Sequence, residues 1–266
     1  MLTIPMVDAI AKYLSSTHSP LYISWARYVV ACGVVLPLAI ARYRNEFLPR
    51  EQIGAHFLRT VFLMSAMTSY FLAIARIPLA TAISAYFVAP IIAMVLAVLF
   101  LGETLTRRKI FSLVLGFAGA LIILRPSASM DAGLWLAIGA GGFFAFYMIA
   151  TRQASLESDP IKTLAFQCLV GVVLLTPQAL WRWSTPAAGE LWLFLLMGLM
   201  SAGCHFLSIV AFRYAQASIL APLVYLELLG GAAIGFFMFG DVPDVYIWIG
   251  AVTIMVAGSM TLERAP

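Results

Sequence analysis

Residues 77–102 read IPLATAISAYFVAPIIAMVLAVLFLG and hold no charged side chain, whereas the next seven, Glu103-Thr104-Leu105-Thr106-Arg107-Arg108-Lys109, hold four. A helix rises about 1.5 Å per residue and a bilayer's hydrocarbon core is about 30 Å thick, so about 20 apolar residues cross it. The stretch therefore reads as a membrane span closed by a Gly102-Glu103 turn and a basic loop. Uncharged runs at 132–151, 163–181, 191–212 and 245–262 repeat the pattern. Of the 266 residues 63% are hydrophobic and 11% charged, against roughly 25% charged in a soluble domain. A water-soluble helical core is thereby excluded, and the partner that the surface requires is the lipid bilayer.

Working outward, ten spans are expected near 1–14, 20–41, 55–75, 79–101, 108–124, 132–152, 160–181, 189–212, 216–239 and 244–262. Turn chemistry at His18-Ser19-Pro20, Arg125-Pro126-Ser127, Ser158-Asp159-Pro160 and Asp241-Val242-Pro243-Asp244 marks several boundaries. The net charge of +4 is no nucleic-acid footprint, because the bases lie in short loops. Ten of the 16 Lys and Arg fall on the side that holds both termini, three on the other, and Lys12, Arg27 and Arg59 inside spans. That bias predicts cytoplasmic termini. Cys32, Cys168 and Cys204 all fall in spans and are expected as free thiols. No basic segment precedes the first apolar stretch and no small-residue cleavage site follows it, so no cleavable leader is expected.

The chain also repeats itself. At an offset of 140, Lys12, Pro20, Arg27, Pro37 and Arg42 align with Arg152, Pro160, Gln167, Pro177 and Arg182; at 138, Gly102-Glu103 aligns with Gly240-Asp241. Two related five-helix units, 1–125 and 130–263, are expected. Five is odd, so the second unit must be upside down. The loops agree: Arg107-Arg108-Lys109 follows the first Gly-acid pair, and Val242-Pro243-Asp244, without a base, follows the second. By the same offset the first helix should begin seven or eight residues before Met1, so residues 1–14 read as a truncated span; the alternative is a short helix that thins the bilayer.

These residues resemble the drug/metabolite transporter superfamily, in its EamA-like ten-helix branch. The resemblance rests on Asp8-x-x-x-Lys12, Pro20 with Arg27, Pro90, Leu101-Gly102-Glu103-Thr104-Leu105-Thr106, Gly116 and Gly119. In the second half it rests on Ala221-Pro222-Leu223-Val224-Tyr225-Leu226-Glu227 and Phe239-Gly240-Asp241-Val242-Pro243-Asp244. It covers nearly the whole chain. It implies an all-α, multi-pass protein of the bacterial inner (plasma) membrane that moves a small-molecule substrate (an amino acid, vitamin or nucleoside-like compound) by alternating access, and needs no cofactor.

An ionised side chain at the bilayer midplane costs about 2.5–3.5 kcal/mol on insertion scales, so such groups face the bundle interior or a wet cavity. Asp8 and Lys12 share a helical face and can pair, or Lys12 can snorkel. With Arg27 they form a net positive cluster, which could hold a substrate carboxylate or pin the first two helices together. Glu227, near the middle of the ninth span, could carry protons or meet a substrate amine; otherwise it bonds a neighbouring carbonyl. His205 suits proton relay or a helix contact, and Gln167 is the repeat mate of Arg27. Tyr86, Tyr147 and Tyr225 could line a cavity or merely pack. Arg59 is expected to snorkel, Glu103 to pair with Arg107, and Trp181, Trp183, Trp192 and Trp248 to anchor the interface. Pro90 and Pro222 should break their helices. Gly231-x-x-x-Gly235 permits close helix approach within the bundle or in a homodimer.

No G-x-x-x-x-G-K-[ST] loop is present, which excludes a self-contained ATP-driven pump. Three histidines are too few for an intramembrane metalloenzyme, and no nucleophile elbow occurs. A secondary carrier is the leading expectation, with a non-transporting scaffold or sensor as the alternative.

Overall fold

The computed structural model describes residues 3–77, 82, 85–124, 132–230, 233–234 and 245–262, and all regular structure among them is helical. The helices are α1 (Ile4–Leu14), α2 (Pro20–Tyr43), α3 (Ile53–Ile74), α4 (Ala89–Leu101) and α5 (Arg107–Leu124), then α6 (Ala132–Glu157), α7 (Pro160–Trp181), α8 (Leu191–Tyr214), α9 (Ala217–Leu220) and α10 (Val245–Leu262). Among the described residues, five stretches are long and apolar enough to cross a membrane: Pro20–Glu46, Ile53–Ile74, Ala132–Leu156, Pro160–Trp181 and Leu191–Tyr214. The turns at Arg125-Pro126-Ser127 and Gly240 to Asp244, the Gly231-x-x-x-Gly235 pattern and Arg264 lie outside the described residues.

α2 and α7 are built alike. Ser19 accepts from the Leu21 N–H at 3.3 Å, and Asp159 from the Ile161 N–H at 2.9 Å. Each oxygen satisfies a donor that the first helical turn leaves free, and Pro20 or Pro160 follows where its missing N–H costs nothing. Pro37 and Pro177 sit inside the two helices. α2 packs on α7 and α8, α3 on α6, and α5 on α10. Where α2 meets α8 only a glycine fits, because a Cβ on Gly198 would run into Val30.

The fourth and ninth spans are not continuous α-helices. The chain turns at Phe87–Val88 before α4 starts with Pro90 in its first turn, and α4 stops at Gly102 in left-handed conformation (φ 62°). α9 is one turn long and passes into a 3-10 helix over Ala221–Leu226, with helix resuming at Glu227. Pro222 has no N–H to offer the carbonyl four residues back, so one rung of the α-helical ladder is missing here, as it is at Pro37 and Pro177, which α2 and α7 nevertheless accommodate.

Bonds between the first and second halves of the chain join them at two places. The Glu103 carboxylate accepts from the N–H groups of Ala217 and Ser218 at 2.9 and 3.0 Å, capping α9 from the other half of the chain. Lys109 Nζ donates beside it to Gln216 Oε1 and Ser218 Oγ at 2.7 and 2.8 Å. The expected Glu103–Arg107 pair does not form, because two orphan amides hold the buried carboxylate better than an exposed guanidinium does. At the opposite end, His18 bonds Ser184 and Glu190 above an edge-to-face cluster of Tyr22, Trp183 and Phe194. Trp181, Trp183, Trp192 and Trp248 are exposed.

Candidate functional site

The broken ninth segment and α1, α2, α3, α6 and α8, with Tyr86 of the fourth segment, line a cavity of about 310 Å³. α1 turns Val7, Ile10, Ala11 and Leu14 into the core, which leaves Asp8 on the cavity side. Arg27 comes from α2, Tyr70 from α3, Phe144 and Tyr147 from α6, and His205 from α8. Tyr86 and Glu227 stand beside the two helix breaks.

Arg27 is 3% exposed. Its guanidinium lies over the rings of Tyr28 and Phe71, 5.2 and 5.4 Å from their centroids, and its Nη1 reaches the thioether of Met67 at 3.4 Å. Its Nη2 has no partner among the described residues. Asp8 lies within electrostatic reach of Arg27, and Glu227 within reach of Asp8, yet neither carboxylate makes an ion pair among the described residues. The ion pairs among the described residues are His18–Glu190 and Arg50–Glu46, both away from the cavity. One wall is aromatic: Tyr70 meets Tyr86 at 5.1 Å, Tyr86 meets Phe144 at 5.3 Å, and Phe144 meets Tyr147 at 5.6 Å. His205 stands edge-on to Tyr147, and Cys204 Sγ lies 3.1 Å from Thr3 Oγ1. All three cysteines are free.

Asp8, Arg27, Tyr86, Tyr147, His205 and Glu227 are thus gathered around one space, while three expected site residues fall elsewhere. Lys12 does not pair with Asp8; its ammonium donates to the Ile74 carbonyl, one of the acceptors that the end of α3 leaves free. Tyr225 is absent from the cavity wall. It packs edge-on to Phe87 at 5.3 Å, its hydroxyl donates to the Phe87 carbonyl at 3.4 Å, and its ring fills the space beside Gly116. Gln167 joins a polar cluster behind the wall, where its Oε1 accepts from Arg59 Nη2 at 2.6 Å.

Arg59 is the residue that sequence reasoning misplaced. It does not snorkel: it is fully buried, donates from Nε to Thr151 Oγ1 at 2.9 Å, and lies 5.3 Å from the ring centroid of Tyr147. Tyr147 therefore separates Arg59 from the cavity. The signal was present, since Arg59 lies within an apolar stretch of α3; its position near the end of that stretch favoured the interfacial alternative.

Several known proteins are similar to this chain over most of its length. An S-adenosylmethionine uptake transporter of Rickettsia bellii is 29% identical, covering 94% of this chain and 86% of its own. A riboflavin transporter of Vibrio cholerae is 27% identical over 96% and 88%. A pseudopaline exporter of Pseudomonas aeruginosa is 27% identical over 96% and 90%. A solved crystal structure has the same fold, with a TM-score of 0.82 at 16% identity over 99% of this chain and 94% of that one. The EamA-like transporter family matches residues 4–125 and, a second time, 131–262. With that double match and an apolar helical bundle around a charged cavity, the chain is an integral membrane transporter, not an enzyme, and belongs to the EamA-like transporter family.

Proposed function

We propose that this protein is a secondary transporter that carries a small polar metabolite across the bacterial inner membrane by alternating access. The observation that carries the reading is the 310 Å³ cavity, where Asp8 and Arg27 from the first half face His205 and Glu227 from the second. Cavities at the interface of two repeats are where such carriers bind substrate. The two halves, near 1–125 and 130–263, are ten spans in inverted repeats with cytoplasmic termini. The like construction of α2 and α7, and the packing of α2 on α7 and of α5 on α10, support this.

The loops fit an exchange of ends. The α1–α2 turn is bonded to the α7–α8 loop through His18, whereas at the other end the α2–α3 and α6–α7 loops border a cleft of about 220 Å³ lined by Arg50, His56, Asp159 and Lys162. In inverted halves these are equivalent loop pairs, one joined and one apart. Protons are the proposed coupling ion and Glu227 the carrier, because it is buried in the cavity and forms no ion pair among the described residues.

The test is counterflow in proteoliposomes loaded with S-adenosylmethionine, riboflavin or amino acids, with labelled compound outside. Transient accumulation above protein-free vesicles is expected for one class; equal traces for every compound would defeat the reading. Cysteine labelling checks the inversion: the Arg107 and Val242 loops must react from opposite sides.

A further inference from the structure

Resting on the transport reading above, we infer that the cavity selects a zwitterionic metabolite. Its carboxylate sits on Arg27, and its cationic group sits between Glu227 and Asp8 against the rings of Tyr70 and Tyr86. The anion end follows from Arg27. Its guanidinium is a planar fork suited to a carboxylate, it is 3% exposed, and it lines the cavity with Nη2 unpartnered. Met67 sulfur, a weak acceptor, is the other group that it reaches. A buried donor left open in this way is completed by an acceptor that arrives with the ligand.

The cation end follows from the carboxylates. Asp8 is offset in part by Arg27, Glu227 has a like charge in Asp8 within electrostatic reach, and neither carboxylate forms an ion pair among the described residues. Tyr70 and Tyr86 lie within electrostatic reach of both acids, and their rings are 5.1 Å apart. Carboxylates beside aromatic faces attract a cation from two sides, through charge and through the ring quadrupole. An anion without a cationic group would meet two acids, and a flat uncharged ring would leave Arg27 open. A ligand with both charges answers Arg27 and the two carboxylates together. The volume of about 310 Å³ is at the lower end of the roughly 300–1,000 Å³ of small-molecule sites, so such a ligand fills it.

The experiment is competition against the compound that shows counterflow, together with calorimetric binding to the purified full chain. The probes are zwitterion and decarboxylated pairs (S-adenosylmethionine and its decarboxylated form, arginine and agmatine), with riboflavin as the uncharged probe. Loss of the carboxylate should weaken binding about tenfold or more. Arg27→Gln should erase that difference while keeping any affinity for the decarboxylated partner. Glu227→Gln should weaken both members of a pair about equally and keep their ratio. Size-exclusion profiles establish that each variant is folded, and the wild-type pairs decide the question even if Arg27→Gln is not. If riboflavin exchanges and no zwitterion competes, the transport reading stands and the zwitterion assignment is wrong. If no probe binds or exchanges, both are wrong. If Arg27→Gln leaves the carboxylate preference intact, the carboxylate does not sit on Arg27.

Discussion

His18 Nε2 and Glu190 Oε2 stand 3.0 Å apart and join the turn after α1 to the residue that precedes α8. The same carboxylate also accepts from the Thr17 hydroxyl at 3.1 Å and the Ala187 N–H at 2.9 Å. The His18 hydrogen bond, followed by that of Ala187, holds the Glu190 carboxyl below its ordinary value of 4.5. A depressed carboxylate stabilises the fold above its unfolded pKa, and that contribution is lost as pH falls through the lower folded value. Wild-type protein should therefore melt higher than Glu190→Gln at neutral pH, with the gap shrinking below about pH 4. Thermal unfolding in detergent across that range is the check, and a gap independent of pH would count against the latch.

Arg59 ties α3 to α6 through Thr151 and to α7 through Gln167. Arg59→Ala strands the Gln167 amide oxygen in the core and removes one of two bonds at the Thr151 hydroxyl, which keeps the Tyr147 carbonyl, and should cost about 2–3 kcal/mol. Arg59→Lys should recover only part, since one ammonium cannot reproduce the fork that spans both acceptors. Melting temperatures of the three proteins decide this. A wild-type value for Arg59→Ala would return Arg59 to the interface.

Glu103 replaces two missing helical acceptors at the start of α9. Glu103→Ala should weaken that cap by about 1–2 kcal/mol, or roughly tenfold in local opening. Hydrogen exchange at the Ala217 and Ser218 amides reads it directly. Unchanged protection there would mean that the segment is held by something else.

Glu227→Gln keeps the shape of the side chain and removes its ability to exchange a proton. Uptake by vesicles should lose most of its pH dependence in this variant, with insertion into the membrane unaffected. An unaltered pH profile would end the proton-carrier role.

Tyr225 and Tyr86 were equal candidates by sequence, and the structure separates them. Tyr225→Phe removes one long hydrogen bond at 3.4 Å and should cost under about 1 kcal/mol. It should also leave substrate affinity unchanged. Tyr86→Ala removes a cavity wall and should weaken binding about tenfold. Equal effects from the two substitutions would contradict the assignment of Tyr225 to packing.

Local chemistry was legible wherever neighbours in sequence decide it. Ser19-Pro20 and Asp159-Pro160 announce helix starts because the cap and the proline act within one turn. Pro90 and Pro222 stand at the breaks, but Pro37 and Pro177 lie inside continuous helices, so a missing N–H marks a weak point and packing decides whether the helix breaks there. The partners of Lys12, Arg59 and Glu103 were not legible, although each had a plausible local alternative. Lys12 lies 62 residues from Ile74, Arg59 lies 108 from Gln167, and Glu103 lies 114 from Ala217.

The amino-acid sequence alone determined that this chain is a membrane-embedded helical bundle, that it resembles a transporter family, and that Asp8, Arg27, His205 and Glu227 are costly charges and polar groups in need of a wet interior. Hydrophobicity and helix caps are properties of short segments, so they survive without a fold. Only the tertiary structure decided which of the buried groups face one cavity and which are satisfied behind its wall. The partners that satisfy Lys12, Arg59 and Glu103 come from other helices, and helix packing alone brings them within bonding distance.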